Sequence, residues 1–395
     1  MDVGIPESKS RHLRLYELVQ RPNFVGGPMT IGFSRSQSEM LQSRTAPIAT
    51  TGVVGWLRVN LLSTWLNVGL TILGVYLIWL TLPPLLNWAL FHATFEGVDR
   101  FACEGPGACW VWIDQRIGQF LYGFYPAEQT WRVNLALILL VPAMAPLMFE
   151  NVPGARYGRW FSLAYPFIAT FLLIGGYGLE EVSTKKFGGF MLNITVGLSG
   201  IVLSLPFGIL LALGRRSKLR LFRLFSVVFI EVFRGVPLIT MLFTAAILLP
   251  LFLPPQVSLD LLVRVIVVVT AFSSAYMAEV IRGGLAAIPR GQYEAAQALG
   301  LGYWRSMALI ILPQALKYSI PGIVNTFIAL FKDTTLVIVI GLFDILNIGR
   351  SMVANPDWLG LGIEAYALIA LSFFTVCFSI SRYSLRLEQR LDTSH

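Results

Sequence analysis

The chain has 395 residues, 55% of them hydrophobic and 13% charged, with a formal net charge of +8. A soluble domain carries about 25% charged residues. The deficit here is filled by Leu, Ile, Val, Phe and Ala in runs near the ~20 residues that cross a bilayer, which excludes a soluble globular protein. In such a chain a Lys/Arg excess belongs to the inner loops, so the positive charge does not argue for a nucleic-acid partner. From the N-terminus, residues 1–60 are polar, hold seven Arg/Lys and contain no apolar stretch of signal-peptide character. They read as a cytoplasmic tail. Within it GVVGWLRVN (52–60) is short and amphipathic, either a helix lying along the inner interface or a plain juxtamembrane linker.

Eight apolar segments follow, at roughly 63–90, 132–149, 158–178, 188–213, 223–253, 259–281, 314–345 and 362–383. Two of them exceed the usual span length and carry interior Pro or polar residues, which predicts kinks or broken helices. Between the first two, Cys103 and Cys109 flank EGPGA, a turn-forming stretch. If that loop faces outward the pair can form a disulfide; the alternative is two free thiols. His12, His92 and His395 are too scattered for a metal site, and no Cys-x-x-Cys occurs. With the N-terminus inside, the segments 1–60, 150–158, 214–224, 282–317 and 382–395 hold most of the Lys and Arg, RRSKLR (215–220) among them. The outer segments 91–130, 179–187, 250–260 and 347–361 hold few. This bias places both termini in the cytoplasm.

On that orientation the segment PRGQYEAAQALGLGYWRS (289–306) is cytoplasmic and too polar for lipid. Gln292 to Leu299 forms about two helical turns, and Gly300 suits a left-handed C-terminal cap. Glu294 and Ala298 share one face, Ala295 and Leu299 the next. Small Ala side chains permit close approach by another protein; on spacing alone a plain amphipathic connecting helix fits as well. The wider segment, GQYEAAQALGLGYWRSMALIILPQAL (291–316), resembles the EAA loop of ABC-importer permeases. Glu294, Ala295, Ala296, Gly300, Ile310, Leu312 and Pro313 all match its pattern of E-A-A, three residues, G, nine residues, I-x-L-P. EVFRGVPL (231–238), SAYMAEVIRGGLAAIPRGQ (274–292) and FKDTTL (331–336) resemble the polar amino-acid permease subfamily. In the first half, GACW (107–110) and GQFLYGFYP (118–126) are similar to the larger, M-type permease of general L-amino-acid importers.

The resemblance implies an all-α polytopic membrane protein with about eight transmembrane helices, the last five forming a type I ABC-importer permease core. It divides the chain into a tail (1–60), a three-helix extension with an outer loop at 91–130 (61–187), the core with its coupling segment at 284–313 (188–388) and a C-terminal tail (389–395). It also implies a bacterial inner-membrane location, a second and different permease chain, two ATPase subunits and a solute-binding protein that delivers an amino acid from outside. Glu294, Ala295, Ala296, Gly300, Leu312 and Pro313 would then couple this chain to an ATPase. No G-x-x-x-x-G-K-[S/T] occurs, so nothing here cradles nucleotide phosphates in the usual way, and ATP and Mg are expected on the partner ATPase.

Charges at membrane depth face a cavity or a partner. Four groups stand out: Glu231 with Arg234, Glu279, Lys332 with Asp333, and Asp344. Glu231 and Arg234 are three apart and read as a structural ion pair, and Arg234-Gly235 before Pro237 marks a kink. Lys332 and Asp333 are adjacent and cannot face each other on a helix. An amino acid brings an ammonium and a carboxylate, each needing a partner once desolvated. Asp333, Thr334 and Thr335 are therefore candidates to line a translocation cavity with Ser273, Ser274 and Tyr276 opposite, and Asn325 and Lys332 complete the set. Alternatively the group only fixes a helix break. Hydropathy alone also fits an ion-gradient-driven secondary transporter, though no internal repeat is evident. A membrane-embedded enzyme would need clustered bases or ligands that this sequence lacks.

Overall fold

The computed structural model describes residues 52–391 apart from 104, 149–153, 255, 257 and 359. Residues 1–51 of the predicted N-terminal tail and 392–395 of the C-terminal one lie outside it. The described residues are helical, with isolated β-bridges and no strands. They fall into two units, Met1–Trp79 and Leu80–His395. The first holds α1 (Gly52–Asn60) and the opening of α2 (Trp65–Leu86). The 52–60 segment is thus a helix rather than a linker, closed by the Asn60 side-chain amide donating to the Trp56 carbonyl at 2.9 Å. α2 has no buried side chain, as a lipid-facing helix requires. Pro83 and Pro84 lie near its end, and a π-turn over Asn87–Phe91 follows them. Proline removes main-chain donors from a helix, here those that would bond back toward residues 79 and 80.

The second unit continues through α3 (Val111–Tyr122), α4 (Thr130–Met148), α5 (Ala155–Ile174), α6 (Gly189–Arg215), α7 (Arg220–Gly235), α8 (Leu238–Phe243), α9 (Leu249–Phe252) and α10 (Leu261–Ala287). It ends with α11 (Arg290–Ala298), α12 (Tyr303–Ser306), α13 (Leu312–Asp333), α14 (Ile345–Val353) and α15 (Gly362–Leu391). Among the described residues five stretches are long and apolar enough to cross a membrane: Trp65–Phe91, Gly189–Arg215, Leu261–Ala287, Tyr303–Ile340 and Gly362–Gln389. They become six if α7 and the α8–α9 run count as one bent span. α4 and α5 fall where spans were predicted at 132–149 and 158–178. They carry Arg132 and Arg159 near their starts and Pro142, Pro146 and Pro166 inside.

The predicted kink before Pro237 is a bend of 103° between α7 and α8. Proline disfavours helical geometry at the residue before it; Val236 sits at φ −108°, ψ 133°, and the helix stops there.

Three apolar cores follow one another along α6, which at 27 residues and 1.5 Å per residue is about 40 Å long. Around its start, Val111, Trp112 and Phe120 of α3 pack with Ile345, Ile348 and Met352 of α14 and with Trp358 and Ala365. Along its first half, Val133, Ala136 and Leu172 pack with Met191, Leu192, Val196, Val265 and Leu330. Near its end, Leu211 and Ala212 meet Ile230, Met277, Ile281, Ile311 and Ala315. The boundary expected at 187/188 is therefore not a packing boundary, because two of the cores draw on residues from both sides of it. Small residues let α6 and α10 approach closely, as in membrane helix pairs. A Cβ on Gly208 would stand 2.6 Å from Met277 Cγ.

Candidate coupling helix and translocation cleft

The segment 289–306 forms a short helix carried on two long ones. α11 ends in a Schellman motif: Gly300 N–H donates to the Gln297 carbonyl at 2.9 Å and Leu301 N–H to the Ala296 carbonyl at 3.1 Å. Gly300 supplies the required positive φ, +71°. Nothing lies within 4 Å of a Cβ built on it, so the backbone conformation alone selects glycine there. Ala296 faces inward and is fully buried, so within this chain it anchors the helix. Glu294, Ala295 and Ala298 are exposed, and Leu299 keeps 74% of its surface accessible. Leu312 packs against the third core, while Pro313 is exposed at the first turn of α13. A π-turn over Met307–Ile311 precedes that proline, whose ring would otherwise crowd the carbonyl four residues back.

Polar tethers hold α11 in place. Gln314 Nε2 donates to Gln292 Oε1 at 3.0 Å. From the end of α6, Arg216 donates to the Tyr293 hydroxyl at 3.3 Å and to the Leu285 carbonyl at 3.2 Å, with its guanidinium 5.8 Å from the Tyr293 ring centroid.

The predicted Glu231–Arg234 ion pair does not form. Glu231 pairs with Arg215 at 3.1 Å, and Arg234 lies 3.8 Å from Glu279. Spacing along one helix brought these two residues to one face, but α6 and α10 supply partners across the helix interface. Glu279 is the centre of this cluster, with Arg215 at 2.7 Å, Arg282 at 2.9 Å and only 17% of its side chain exposed. Arg215 carried no signal of this role, because its carboxylates lie 16 and 64 positions away.

Further along α10 a cleft of roughly 330 Å³ opens between α10 and α13. Of the predicted path residues, Ser273, Tyr276, Asn325 and Asp333 line it. The Ser273 hydroxyl is buried without a hydrogen-bond partner, and no ion pair among the described residues uses Asp333. Arg234 reaches the rim, 5.6 Å from the Tyr276 ring centroid. The other four predicted residues do not line the cleft. Ser274 is buried and donates to the Thr270 carbonyl at 2.6 Å. Thr334 is buried, donating to the Phe331 carbonyl at 2.7 Å and accepting from Asn193 Nδ2 at 3.0 Å. Thr335 bonds back to the Lys332 carbonyl at 2.9 Å, and Lys332 itself is exposed. A helix that tightens into a 3-10 turn over Thr334–Ile340 rotates these side chains away from the face that Asp333 presents.

Asp344 lies beyond the end of that span. Fully buried, it caps α14 by accepting the Asn347 N–H at 3.0 Å. Burial pushes its carboxyl above the usual carboxylate range despite that bond. Asn193, which sequence reasoning missed, joins the cap to α13: its Oδ1 accepts the Ile345 N–H at 3.0 Å while its amide reaches Thr334. Cys103 and Cys109 are joined by a disulfide, and Cys109 N–H donates to the buried Glu364 of α15 at 3.3 Å.

Residues 204–393 match the family described as the binding-protein-dependent transport system inner membrane component. The chain is 51% identical over 340 residues to the inner membrane amino-acid ABC transporter permease protein YhdY of Escherichia coli, covering 86% of this chain and 93% of that one. It is 43% identical over 429 residues to the glutamate/glutamine/aspartate/asparagine transport system permease protein BztC of Rhodobacter capsulatus, covering 91% and 98%. The probable glutamine ABC transporter permease protein GlnP of Bacillus subtilis is 33% identical over 217 residues, which is 98% of its own length but 55% of this chain. A polytopic helical chain with these relatives, carrying an exposed and capped EAA helix at one end of its long core helix, belongs to the amino-acid ABC transporter permeases.

Proposed function

We propose that this chain forms one half of the translocation path of an ATP-driven amino-acid importer and receives its driving force through α11. The observation that carries this reading is the construction of that helix. One face is anchored by Ala296, Tyr293 and Gln292, while Glu294, Ala295, Ala298 and Leu299 are left outward beside a glycine that fixes where the chain turns. A helix held from behind and bare in front suits insertion into a cleft on an ATPase subunit. Nucleotide and Mg belong to that subunit. A second permease chain completes the path, a different one in this reading because the M-type resemblance is to members of mixed pairs. A solute-binding protein delivers the amino acid from outside. Both termini lie in the cytoplasm, which puts α11 on the ATPase side.

In this reading the Asp333 carboxylate takes the substrate ammonium, Ser273 and Asn325 offer hydrogen bonds and Tyr276 gives an aromatic wall; that all four line the cleft supports it. The ion-gradient alternative draws no support from the relatives. The deciding experiment is uptake of labelled amino acids into proteoliposomes holding this chain, with and without a partner permease and ATPase, and with ATP and binding protein supplied. Uptake that needs the full set is the expected result. Uptake by this chain alone on a proton or sodium gradient would overturn the reading.

A further inference from the structure

At the opposite end of α6 from α11, a second cavity of roughly 270 Å³ lies between α3 and the α14 segment. Trp112, Arg116 and Gln119 enter it from α3, at the spacing of one helix face. Ser351, Asn355 and Trp358 face them. The two indoles form an apolar base, since both belong to the core built on Ile345 and Ile348.

The hydrogen-bonding character of the walls is lopsided. Arg116 makes no ion pair among the described residues, and a guanidinium offers five donors and no acceptor. Asn355 spends its oxygen on the Asp357 N–H at 3.0 Å, leaving its NH₂. Trp112 Nε1 is buried without a partner. Glu364, which takes the Cys109 N–H, is buried and is neither among the lining residues nor ion-paired with Arg116. A cation with surplus donors beside an apolar base of two indoles matches a carboxylate whose remaining atoms are partly apolar or carry an ammonium.

We propose that this cavity is a second amino-acid site, holding the substrate carboxylate on Arg116, separate from the acceptor-bearing cleft at Asp333. The proposal rests on the reading of the chain as an amino-acid permease and adds a site built jointly by α3 and α14. α3 lies outside the 204–393 segment that matches the family, so the site draws on the N-terminal part of the chain as well. Amino acids with neutral or acidic side chains fit; a second cation beside Arg116 is repelled.

The test is equilibrium dialysis of the full chain in nanodiscs against tritiated L-glutamine, with L-glutamate and L-lysine as competitors. Arg116 is half-exposed on a helix surface, and Arg116→Lys keeps the charge if Arg116→Gln proves unstable. Arg116→Gln should weaken this site at least tenfold, Arg116→Lys by less, and Asp333→Asn should leave it intact; glutamate should compete and lysine should not. Equal binding by wild type and Arg116→Gln, or loss of all binding in Asp333→Asn alone, would overturn the proposal. Importer proteoliposomes separate the two readings. If they transport while Arg116→Gln binds normally, only the cavity proposal falls; if they take up no amino acid, the functional reading falls as well.

Discussion

The two ends of α6 are stabilised by different physics. At the α3 end the contacts are mainly apolar and covalent, with buried caps rather than ion pairs among the described residues. Trp112, Phe120, Ile345, Ile348 and Trp358 share a core, Asn193 and Asp344 cap α14, and a disulfide closes the loop leading into α3. At the α11 end the contacts around the core are charged. Arg215, Glu231, Arg234, Glu279 and Arg282 form one network, and Arg216 clasps Tyr293. Burial is non-directional and is lost as a whole when surfaces part. Ion pairs at the exposed rim of this network, as at Glu231, can exchange partners at small net cost, while the more buried Glu279 holds its centre. The α3 end is therefore built to hold one arrangement, and the α11 end to be re-seated by a partner.

Four changes test that contrast, in falling order of effect. Trp112→Ala opens the apolar end and should cost about 3–5 kcal/mol, read as a lowered melting temperature in detergent. A shift no larger than that of an exposed tryptophan would mean that the outer core is not what holds this end. Glu279→Gln leaves three arginines around a neutral amide and should cost about 3 kcal/mol, as for a mostly buried carboxylate losing its role. An unchanged melting temperature would place the cluster with exposed, near-neutral ion pairs instead.

Gly300→Val forces a β-branched residue to φ +71°, a local strain of about 1–2 kcal/mol. Global stability should barely move, but co-purification of the ATPase should fall severalfold, and full retention of the ATPase would disconnect the cap from coupling. The smallest effect concerns Asp344. Its carboxyl binds protons more tightly folded than unfolded, so its contribution is complete below the ordinary aspartate value of about 3.9. That contribution is lost as pH rises through the elevated folded value. Asp344→Asn, which keeps the capping oxygen, should flatten this slope in melting curves taken at stepped pH; an identical slope would show that Asp344 is not its source.

The capped helix α11 was legible because its determinants are local. Cap glycine, helix length and the proline at 313 all lie within 26 consecutive residues, and turn chemistry is a short-range property. The bend at Pro237 was legible for the same reason. The cleft was legible only in half. Ser273, Tyr276, Asn325 and Asp333 meet as expected, yet Thr334 is consumed by Asn193, 141 positions away. The reassigned partners of Glu231 and Arg234 share that cause, since helix spacing predicts which residues share a face but not what the neighbouring helix brings to it. The joint packing of the extension with the core was likewise hidden, because apolar runs show that they are buried or lipid-facing without showing against what.

The contact between Gln292 and Gln314 is a clasp made by two neutral amides. Ionic strength screens the arginine–glutamate network a few residues away but leaves an amide pair almost untouched. High salt therefore loosens the helix bundle behind α11 before it loosens the joint of α11 itself. α11 should stay docked on α13 across a range of ion concentrations, with any salt sensitivity arising among α6, α7 and α10.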